Sequence, residues 1–334
     1  MESEKDIVYS TRVRLARNIT ALPFPNKLNG EEEIYSVLMK NVDEACNKFC
    51  KTTVYKMSEL SAIDGRALVE RHLASPDLIA NCPYGALILS KNEEIAIMLN
   101  EEDHIRAQCI LSGWQLESAY NRIAKIDEEI AKRVDYAFDK NFGYLTACPT
   151  NLGAGMRASA MLFLPALSMN GSINSILNEY RASGITVRGV YGEGSKVEGY
   201  LYQFSNQASI SLSEKEIINT MNMVIRKLVD AEKIARKNLS NSRAVELKNE
   251  IMRAYGILQY AVTIDSTEFM EMLALTKLGV GLGYIDCDIN TLNQLIVMCQ
   301  PAMLCKLSEK ALSAQERDIT RAALVRKLIN KKPV

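Results

Sequence analysis

Several features that identify common classes of protein are missing from this chain of 334 residues. It has only two histidines, His72 and His104, which argues against a histidine-rich metal enzyme and against a Ser-His-Asp hydrolase. Its 40 basic residues are balanced by 40 acidic ones, whereas proteins that bind DNA or anionic lipid are usually basic. We therefore expect no nucleic-acid partner and no membrane partner, and a bound anion must meet a local group of arginines.

Export and membrane-insertion signals are also missing. The N-terminal residues contain no apolar core of a signal peptide, and no apolar run approaches the roughly 20 residues that span a bilayer. The eight cysteines are scattered. Cys46 and Cys50 could form half of a metal site, but no second pair of Cys or His residues stands at metal-ligand spacing. We expect a reduced, cytoplasmic protein without a protein-bound metal site.

The usual nucleotide-binding motifs do not occur. The chain has no G-x-x-x-x-G-K-[ST] loop, and it lacks the strand lysine and H-R-D loop of the protein kinases. Gly153, Gly155 and Ala158 match G-x-G-x-x-A, but no regular alternation of strands and helices surrounds them. A dinucleotide-binding fold is therefore disfavoured.

Hydrophobic patterning predicts an α+β chain. Apolar runs at 86–90 and 95–100 predict two strands joined as a hairpin, and 144–148 predicts a third strand. A periodic apolar pattern predicts a long helix over 115–138, and the segment 156–167 is also predicted to be helical.

The predicted strands end in the second third of the chain. From about residue 240 onward helical patterns dominate, and the string NLSNSR at 238–243 is the best linker candidate. We therefore expect an α+β domain over 1–236 and an all-α domain over 240–334.

Two short strings concentrate charge in an unusual way. In STRVRLAR, an extended strand would project Arg12 and Arg14 to the same face, where two like charges are unfavourable without a shared anion. In NEEDHIR, three adjacent acids follow an apolar strand, which suits cation binding or proton abstraction beside Arg106. Solvated surface residues remain the alternative for each string taken alone.

Two further strings combine glycine with arginine. CPTNLGAGMRAS, at 148–159, predicts a strand, a glycine loop and a helix start whose backbone N–H groups favour an anion. VRGVYGEGSKVEG, at 187–199, has the composition of a mobile lid, although an ordinary hairpin turn is the alternative.

Together and in this order, the four strings resemble those of the guanidino kinases (phosphagen kinases), and most closely those of the bacterial protein arginine kinases. The resemblance covers nearly the whole chain. It implies a catalytic domain with an antiparallel β-sheet flanked by helices, followed by an all-α C-terminal domain. It also implies that ATP, with Mg²⁺, is bound by arginines rather than by a P-loop lysine.

The resemblance also implies roles for single residues. The catalytic group is Glu102, as the carboxylate that takes the proton, with Glu101, Cys148 and Glu193. Cys148 is expected to orient the guanidinium as a thiolate and not to attack. The ATP-binding residues are Ser10, Thr11, Arg12, Val13, Arg14, His72, Arg106, Arg157, Ala158, Ser159, Ala160, Met161, Arg188, Gly189, Val190, Tyr191, Gly192 and Glu193.

Three residues depart from the family pattern. Tyr191 stands where metabolic guanidino kinases have a further arginine, which favours the protein-kinase branch. Lys196 replaces a usual glutamate and puts the substrate contact of that loop in doubt, and Ala154 replaces a usual threonine.

The string RDITRA near the C-terminus resembles the RDxxRA motif of protein arginine kinases. It follows a capping box made by Ser313 and Glu316. The resemblance implies an allosteric phosphoarginine site made of Arg317, Asp318, Arg321 and Ala322. A solvated helix face would be the preferred interpretation without the family match.

The leading interpretation is an ATP-dependent kinase that phosphorylates arginine side chains in proteins, marks them for Clp-type degradation and regulates the stress response. The resemblance implies a McsA-like activator, a heat-shock repressor and a Clp ATPase as partners, and a homodimer or larger assembly. The alternative is a metabolic kinase that acts on free arginine or a similar small guanidine. A third interpretation is an inactive protein that only binds phosphoarginine. It is disfavoured by the presence of Glu101, Glu102, Arg106 and Cys148.

Overall fold

The structure is a computed structural model of the chain, and it describes residues 4–20, 22–27, 32–81, 84–189 and 199–330. The strands of this described part are β1 (Val8–Arg17), β2 (Thr52–Lys56), β3 (Ala86–Ser90), β4 (Ile95–Leu99), β5 (Ile105–Ser112), β6 (Phe138–Asp139), β7 (Gly143–Tyr144), β8 (Met156–Phe163), β9 (Ile185–Arg188) and β10 (Leu201–Asn206). The hairpin predicted at 86–100 is confirmed, whereas the strand predicted at 144–148 is wrong beyond Tyr144.

The helices of the described part are α1 (Glu32–Asn47), α2 (Ala62–Glu70), α3 (Pro76–Asn81), α4 (Leu116–Ala131), α5 (Pro165–Met169), α6 (Ile173–Ala182), α7 (Glu214–Ser242), α8 (Ala244–Tyr260), α9 (Ser266–Gly281), α10 (Ile289–Met298), α11 (Pro301–Leu307) and α12 (Ala314–Ile329). None of these helices is both long enough and apolar enough to cross a membrane. The predicted combination of an antiparallel sheet with flanking helices and a helical C-terminal region is confirmed.

Eight strands form one sheet in the order β2-β3-β4-β5-β1-β8-β10-β9, while β6 and β7 pair separately. The antiparallel register of β2, β3, β4, β5 and β1 aligns one row of residues across the end of these strands. The row consists of Lys56, Ala86, Leu99, Ile105 and Arg17. The turn that connects β4 to β5, residues 100–104, therefore leaves the sheet at this end.

The two faces of these strands are covered differently. On one face, Thr11 Oγ1 accepts a hydrogen bond from the Gln115 amide, and Arg17 pairs with Asp127 at 2.8 Å, so α4 covers this face. On the other face, α2 and α3 cover β3 and β4 through a buried apolar cluster. Its members are Leu68, Leu73, Ala74, Leu78, Leu87, Leu89, Ala96 and Met98. The cluster contains no residue of β5 or β1, whose side chains on this face are largely polar or charged.

Residues 156–163 form the strand β8, so the helix predicted over 156–167 is wrong for most of its length. β8 lies between β1 and β10 inside the sheet, and every residue except Arg157 is buried. A strand that is buried on both faces lacks the regular alternation of apolar and polar residues that marks a half-buried strand. Only the end of the predicted helix exists, as α5 after Pro165.

The linker predicted over 238–243 is mostly helical. α7 continues to Ser242, and only Arg243 separates it from α8. The segment contains polar residues of modest helix propensity but neither glycine nor proline, so it contains no strong helix breaker.

By their internal contacts the residues divide into two compact units. The arginine unit comprises Ser10–Ala160 and Ser205–Met223, and the helical unit comprises Met1–Tyr9, Met161–Phe204 and Val224–Val334. This division differs from the one drawn from the sequence, and the domain boundaries 1–236 and 240–334 remain a prediction.

Lys277 of α9 is buried in the helical unit, and its Nζ has no hydrogen-bond partner among the described residues. Nζ lies 4.6 Å from the centroid of the Phe163 ring and 5.3 Å from that of Tyr9. Burial, followed by repulsion from Arg236, lowers the pKa of Lys277 to about 7 against the attraction of Asp6. An unfolded lysine keeps its proton up to a pH of about 10.

This pKa shift predicts a stability that depends on pH. Because the unfolded chain binds the proton more tightly, the penalty of burying Lys277 is complete below pH 7 and falls as pH rises from about 7 to about 10. Lys277→Met should therefore raise the free energy of unfolding by about 1–4 kcal/mol at about pH 6, and by less at about pH 9. Denaturant titrations at both pH values measure this; an equal gain at both would contradict a buried ammonium.

Candidate functional site

Four arginines of the arginine unit surround one point on the sheet. Arg14 of β1 stands opposite Gln108 of β5, and Arg12 and Arg106 each lie two positions away on the same face. Arg157, on the neighbouring strand β8, lines a small cavity together with Arg14 and Arg106. Burial, and then repulsion from the other three arginines, lowers the pKa of Arg14 well below its ordinary value. Such a concentration of positive charge suits a polyanion.

Glu101 is the carboxylate that faces this group. Its side chain is buried and accepts two hydrogen bonds from Arg106 Nη1, both at 2.7 Å, and one from Ser75 Oγ at 2.6 Å. Burial favours its neutral form, but Arg106, Ser75 and the Glu102 amide together lower the pKa of Glu101. Glu101 is therefore an ionised group that fixes the position of Arg106.

Glu102 has different surroundings although it is the next residue. Its side chain is exposed at the end of the sheet, in the turn between β4 and β5. Partial burial, and then the nearby Asp103 and Glu101, raises the pKa of Glu102 against the effect of Arg106. A carboxylate with a raised pKa that solvent can reach is suited to accept a proton from a bound group.

Asp103 connects this turn to the segment that carries Cys148. Its Oδ1 accepts hydrogen bonds from Asn18 Nδ2 at 2.6 Å and from the Ala147 amide at 2.7 Å. The half-buried Cys148 follows Ala147, and its Sγ lies 3.0 Å from Thr150 Oγ1. The predicted residues Glu101, Glu102 and Cys148 are therefore brought to one end of the sheet.

Arg157 is positioned by residues that the sequence analysis missed. Its Nε and Nη2 donate to Ser205 Oγ at 3.1 and 2.9 Å. The next residue, Asn206, accepts the Ala158 amide at 2.8 Å and so joins β8 to the end of β10. Two consecutive polar residues at the end of β10 were the available sign, but only the sheet order shows that they adjoin Arg157.

His72 lies close to the arginines. Its carbonyl oxygen accepts a hydrogen bond from Gln108 Nε2 at 2.9 Å, which places the end of α2 beside β5. Burial, and then Arg12, lowers the pKa of His72 to about 4, so its ring is neutral at neutral pH. A neutral ring beside the arginines can stack on a base without adding charge.

Among the other predicted ATP-binding residues, some have side chains on the arginine face of the sheet and others on the opposite face. Thr11 and Val13 point to the opposite face of β1 from Arg12 and Arg14, and Ala158 and Ala160 alternate with Arg157 in the same way. These four residues could therefore contact ATP on the arginine face only through their backbone atoms. Ser10 and Ser159 share the arginine side of their strands.

Several further predicted residues are not among the described residues of the arginine unit. Met161, Arg188 and Gly189 belong to the helical unit. Val190, Tyr191, Gly192, Glu193 and Lys196 lie outside the described residues. Because the segment after Gly155 is a strand, the anion site predicted at a helix start there is wrong, and the side chains of the neighbouring strands carry the positive charge instead.

The RDITRA string begins α12 behind the predicted capping box of Ser313 and Glu316, which is present. Arg321 is buried, and it donates to the carbonyl oxygens of Ile264 and Cys299 and to Asp318 Oδ1 at 2.7–3.1 Å. Arg317 and Asp318 are half-buried. The two arginines therefore differ: Arg321 joins α12 to neighbouring segments, whereas Arg317 lies nearer the surface.

The comparisons with known proteins agree with this geometry. A family model described as the ATP:guanido phosphotransferase C-terminal catalytic domain matches residues 33–235, which is more than half of the chain. A second, described as the protein-arginine kinase McsB C-terminal domain, matches residues 244–333. The chain therefore belongs to the ATP:guanido phosphotransferase family, as the order of the four strings predicted.

Proteins similar in sequence assign the chain to one branch of this family. A protein-arginine kinase of Caldanaerobacter subterraneus is 40% identical and covers 99% of this chain and 99% of the relative. A protein-arginine kinase of Clostridium kluyveri is 44% identical and covers 96% of this chain and 94% of the relative. This chain is thus an enzyme, a kinase of the protein-arginine kinase branch.

Solved structures support the same fold. A lombricine kinase is 25% identical with a TM-score of 0.59, covering 69% of this chain and 67% of that one. The duplicated taurocyamine kinase from Schistosoma mansoni, with bound transition-state analogue components, is 25% identical with a TM-score of 0.61, covering 74% and 37%.

Proposed function

We propose that this chain transfers the γ-phosphoryl group of ATP to the guanidinium of arginine side chains in proteins. The observation that carries the proposal is the placement of an exposed carboxylate, Glu102, at the sheet end where Arg106 and the other arginines converge. A polyanion and a cationic acceptor can then meet at one place.

The proposed role of Glu102 is to deprotonate the guanidinium that accepts the phosphoryl group. A guanidinium is protonated at neutral pH and is not a nucleophile. When Glu102 takes a proton from one terminal nitrogen, the lone pair of that nitrogen can form the N–P bond while the P–O bond to ADP breaks. The products are phosphoarginine and ADP, and the proton passes from Glu102 to water. Glu193, outside the described residues, would be a second carboxylate on the acceptor.

The arginines would bind the triphosphate and stabilise the charge that spreads over it during transfer. Arg14 and Arg157 line the cavity, and Glu101 keeps Arg106 aligned with them. Among the described residues no group of three His, Cys, Asp or Glu side chains could hold a metal ion. Mg²⁺ does not require such a group, because it binds mainly through substrate phosphates and water. It would supply additional positive charge at the triphosphate.

Cys148 is proposed to orient the guanidinium without forming a covalent bond to phosphorus. Because a serine keeps the size and a polar atom, Cys148→Ser should lower kcat by about 10–100-fold and leave measurable turnover. Cys287→Ser, at another half-buried thiol, is the matched control and should behave as the wild type. A phosphocysteine trapped at Cys148 and detected by mass spectrometry would refute this role.

We propose that Arg317, Asp318, Arg321 and Ala322 form a second site that binds phosphoarginine. In this arrangement Arg317 meets the phosphate, Asp318 meets the guanidinium, and Arg321 holds Asp318 in place. Binding there would regulate the kinase allosterically, and it would favour a dimer or larger assembly.

Arg317→Ala should weaken phosphoarginine binding by about tenfold or more, because it removes a half-buried charged partner that also makes a long hydrogen bond to the Leu312 carbonyl oxygen, at 3.4 Å. Lys327→Ala, an exposed change on the same helix, should leave binding unchanged. Arg321→Ala should instead lower the free energy of unfolding by about 3 kcal/mol or more. Calorimetric titration with phosphoarginine and denaturant titration separate the two effects; unchanged binding by Arg317→Ala would remove this site.

The biological setting is also part of the proposal. We propose cytoplasmic proteins with accessible arginines as substrates, which are then marked for degradation by a Clp ATPase during stress. A McsA-like activator and a heat-shock repressor are the proposed partners. The match of residues 244–333 to the McsB C-terminal domain supports this placement.

A direct test compares ATP consumption in the presence of casein with that in the presence of free arginine. The proposal expects turnover to depend on casein, with free arginine a poor substrate. Turnover with free arginine alone would favour a metabolic guanidino kinase, and no turnover with either would favour a protein that only binds phosphoarginine.

A further inference from the structure

A cleft of about 680 Å³ opens at the same end of the sheet as Glu102. The residues that line it include Tyr35, Ser36, Lys56, Glu59, Tyr84 and Asn100. They come from α1 and from the ends of β2, β3 and β4. Three members of the row of aligned residues described above, Lys56, Ala86 and Leu99, also line the cleft. Asn100 directly precedes the two glutamates, so the cleft is continuous in sequence with the turn that carries the proposed base.

The lining of the cleft suits a chain of variable sequence. The rings of Tyr35 and Tyr84 stack at 5.4 Å between centroids, with 12° between their planes, and so provide a rigid apolar wall. Lys56 and Glu59 form an ion pair at 3.2 Å with exposed side chains, so their opposite charges largely cancel. A cleft with little net charge does not select strongly for one sign of charge in its occupant.

Asn100 provides an independent sign of a missing partner. Its backbone has a left-handed φ of 56°, and its Nδ2 donates to the Tyr84 carbonyl oxygen at 3.3 Å. Its Oδ1 is buried and has no hydrogen-bond partner among the described residues. A buried acceptor without a donor is destabilising, and a donor brought by a bound molecule would recover that cost after a small rotation of the side chain.

We propose that this cleft binds the extended backbone of the substrate protein beside the arginine that is phosphorylated. Peptide N–H groups would be the donors for Asn100, and the stacked tyrosines would contact the side chains of the residues flanking the arginine. The cleft volume falls in the range of pockets that enclose a sizeable ligand, and a single guanidinium at Glu102 does not require that space. This inference rests on the proposed function, because it assigns the docking site of a protein substrate.

The experiment fills the cleft from one wall at a time. Ser36→Trp on α1 and Ser58→Trp after β2 place a large side chain at exposed positions of the lining. Val37→Trp is the matched control, since Val37 is 60% exposed on the same helix and is not part of the lining. Tryptophan, serine and valine have similar helix propensities, so the α1 variants should fold alike.

Steady-state kinetics with casein and ATP provide the measurement. Both cleft variants should raise KM for casein by about tenfold, with kcat at saturating casein and KM for ATP within about twofold of the wild type. The Val37→Trp variant should change none of these values. An unchanged KM for casein in folded Ser36→Trp and Ser58→Trp overturns the docking site, whereas a wild type that does not phosphorylate casein overturns the proposed function itself.

Discussion

Glu102→Gln should lower kcat by about 10²–10⁴-fold, because glutamine keeps the size and hydrogen bonding of the side chain but cannot accept the proton. KM for ATP should change little, since the proposed triphosphate site consists of the four arginines and does not include Glu102. The wild type should also lose activity as pH falls through the pKa of Glu102, which burial and its acidic neighbours raise. That limb of the pH profile should be absent from the variant.

The matched control is Glu128→Gln, an exposed glutamate on α4. It should have wild-type kcat and a wild-type pH profile. Coupled measurement of ADP formation with casein as acceptor gives both quantities. Near-normal turnover by Glu102→Gln would remove Glu102 from the role of base and would direct attention to Glu193 in the segment outside the described residues.

Arg157→Lys should raise KM for ATP and lower kcat/KM for ATP by about 10²–10³-fold. Arg157 uses Nε and Nη2 on Ser205 Oγ, which fixes the plane of its guanidinium beside Arg14 and Arg106. Lysine keeps the charge but cannot hold Ser205 with two donors and also offer a planar pair of N–H groups to a phosphate.

Two comparisons sharpen this prediction. Arg253→Lys, at an exposed position on α8, should leave the ATP parameters unchanged. Ser205→Ala keeps Arg157 but removes its oriented acceptor, so it should cause a smaller loss in the same direction, of about tenfold. If ATP affinity and turnover survive Arg157→Lys, the cavity on this face of the sheet does not hold the triphosphate.

Local sequence patterns predicted much of the fold. The hairpin at 86–100 and the capped helix of RDITRA have strong short-range signals, and both are confirmed. The segment 156–163 was mispredicted because its position between β1 and β10 buries every residue except Arg157, so the sequence lacks the regular alternation of a half-buried strand.

The candidate site could be predicted from the sequence only in part. Alternation along β1 correctly placed Arg12 and Arg14 on one face, and the resemblance supplied Arg106 and Arg157 as companions. Local patterns could not show that Ser75 holds Glu101 or that Ser205 holds Arg157. Ser75, just before α3, is 26 residues from Glu101, and Ser205 is brought to Arg157 only by the order of the sheet. The burial of Arg321 likewise depends on the carbonyl oxygens of distant segments.

The most direct test of the central claim is to locate the transferred phosphate. The full-length chain is incubated with ATP, Mg²⁺ and casein at neutral pH, and the digested casein is examined by mass spectrometry under conditions that preserve the acid-labile N–P bond. The account predicts phosphate on arginine side chains with the wild type and with Glu128→Gln, and its near absence with Glu102→Gln. Phosphate found only on hydroxyl side chains, or casein left unmodified while free arginine is phosphorylated, would contradict it.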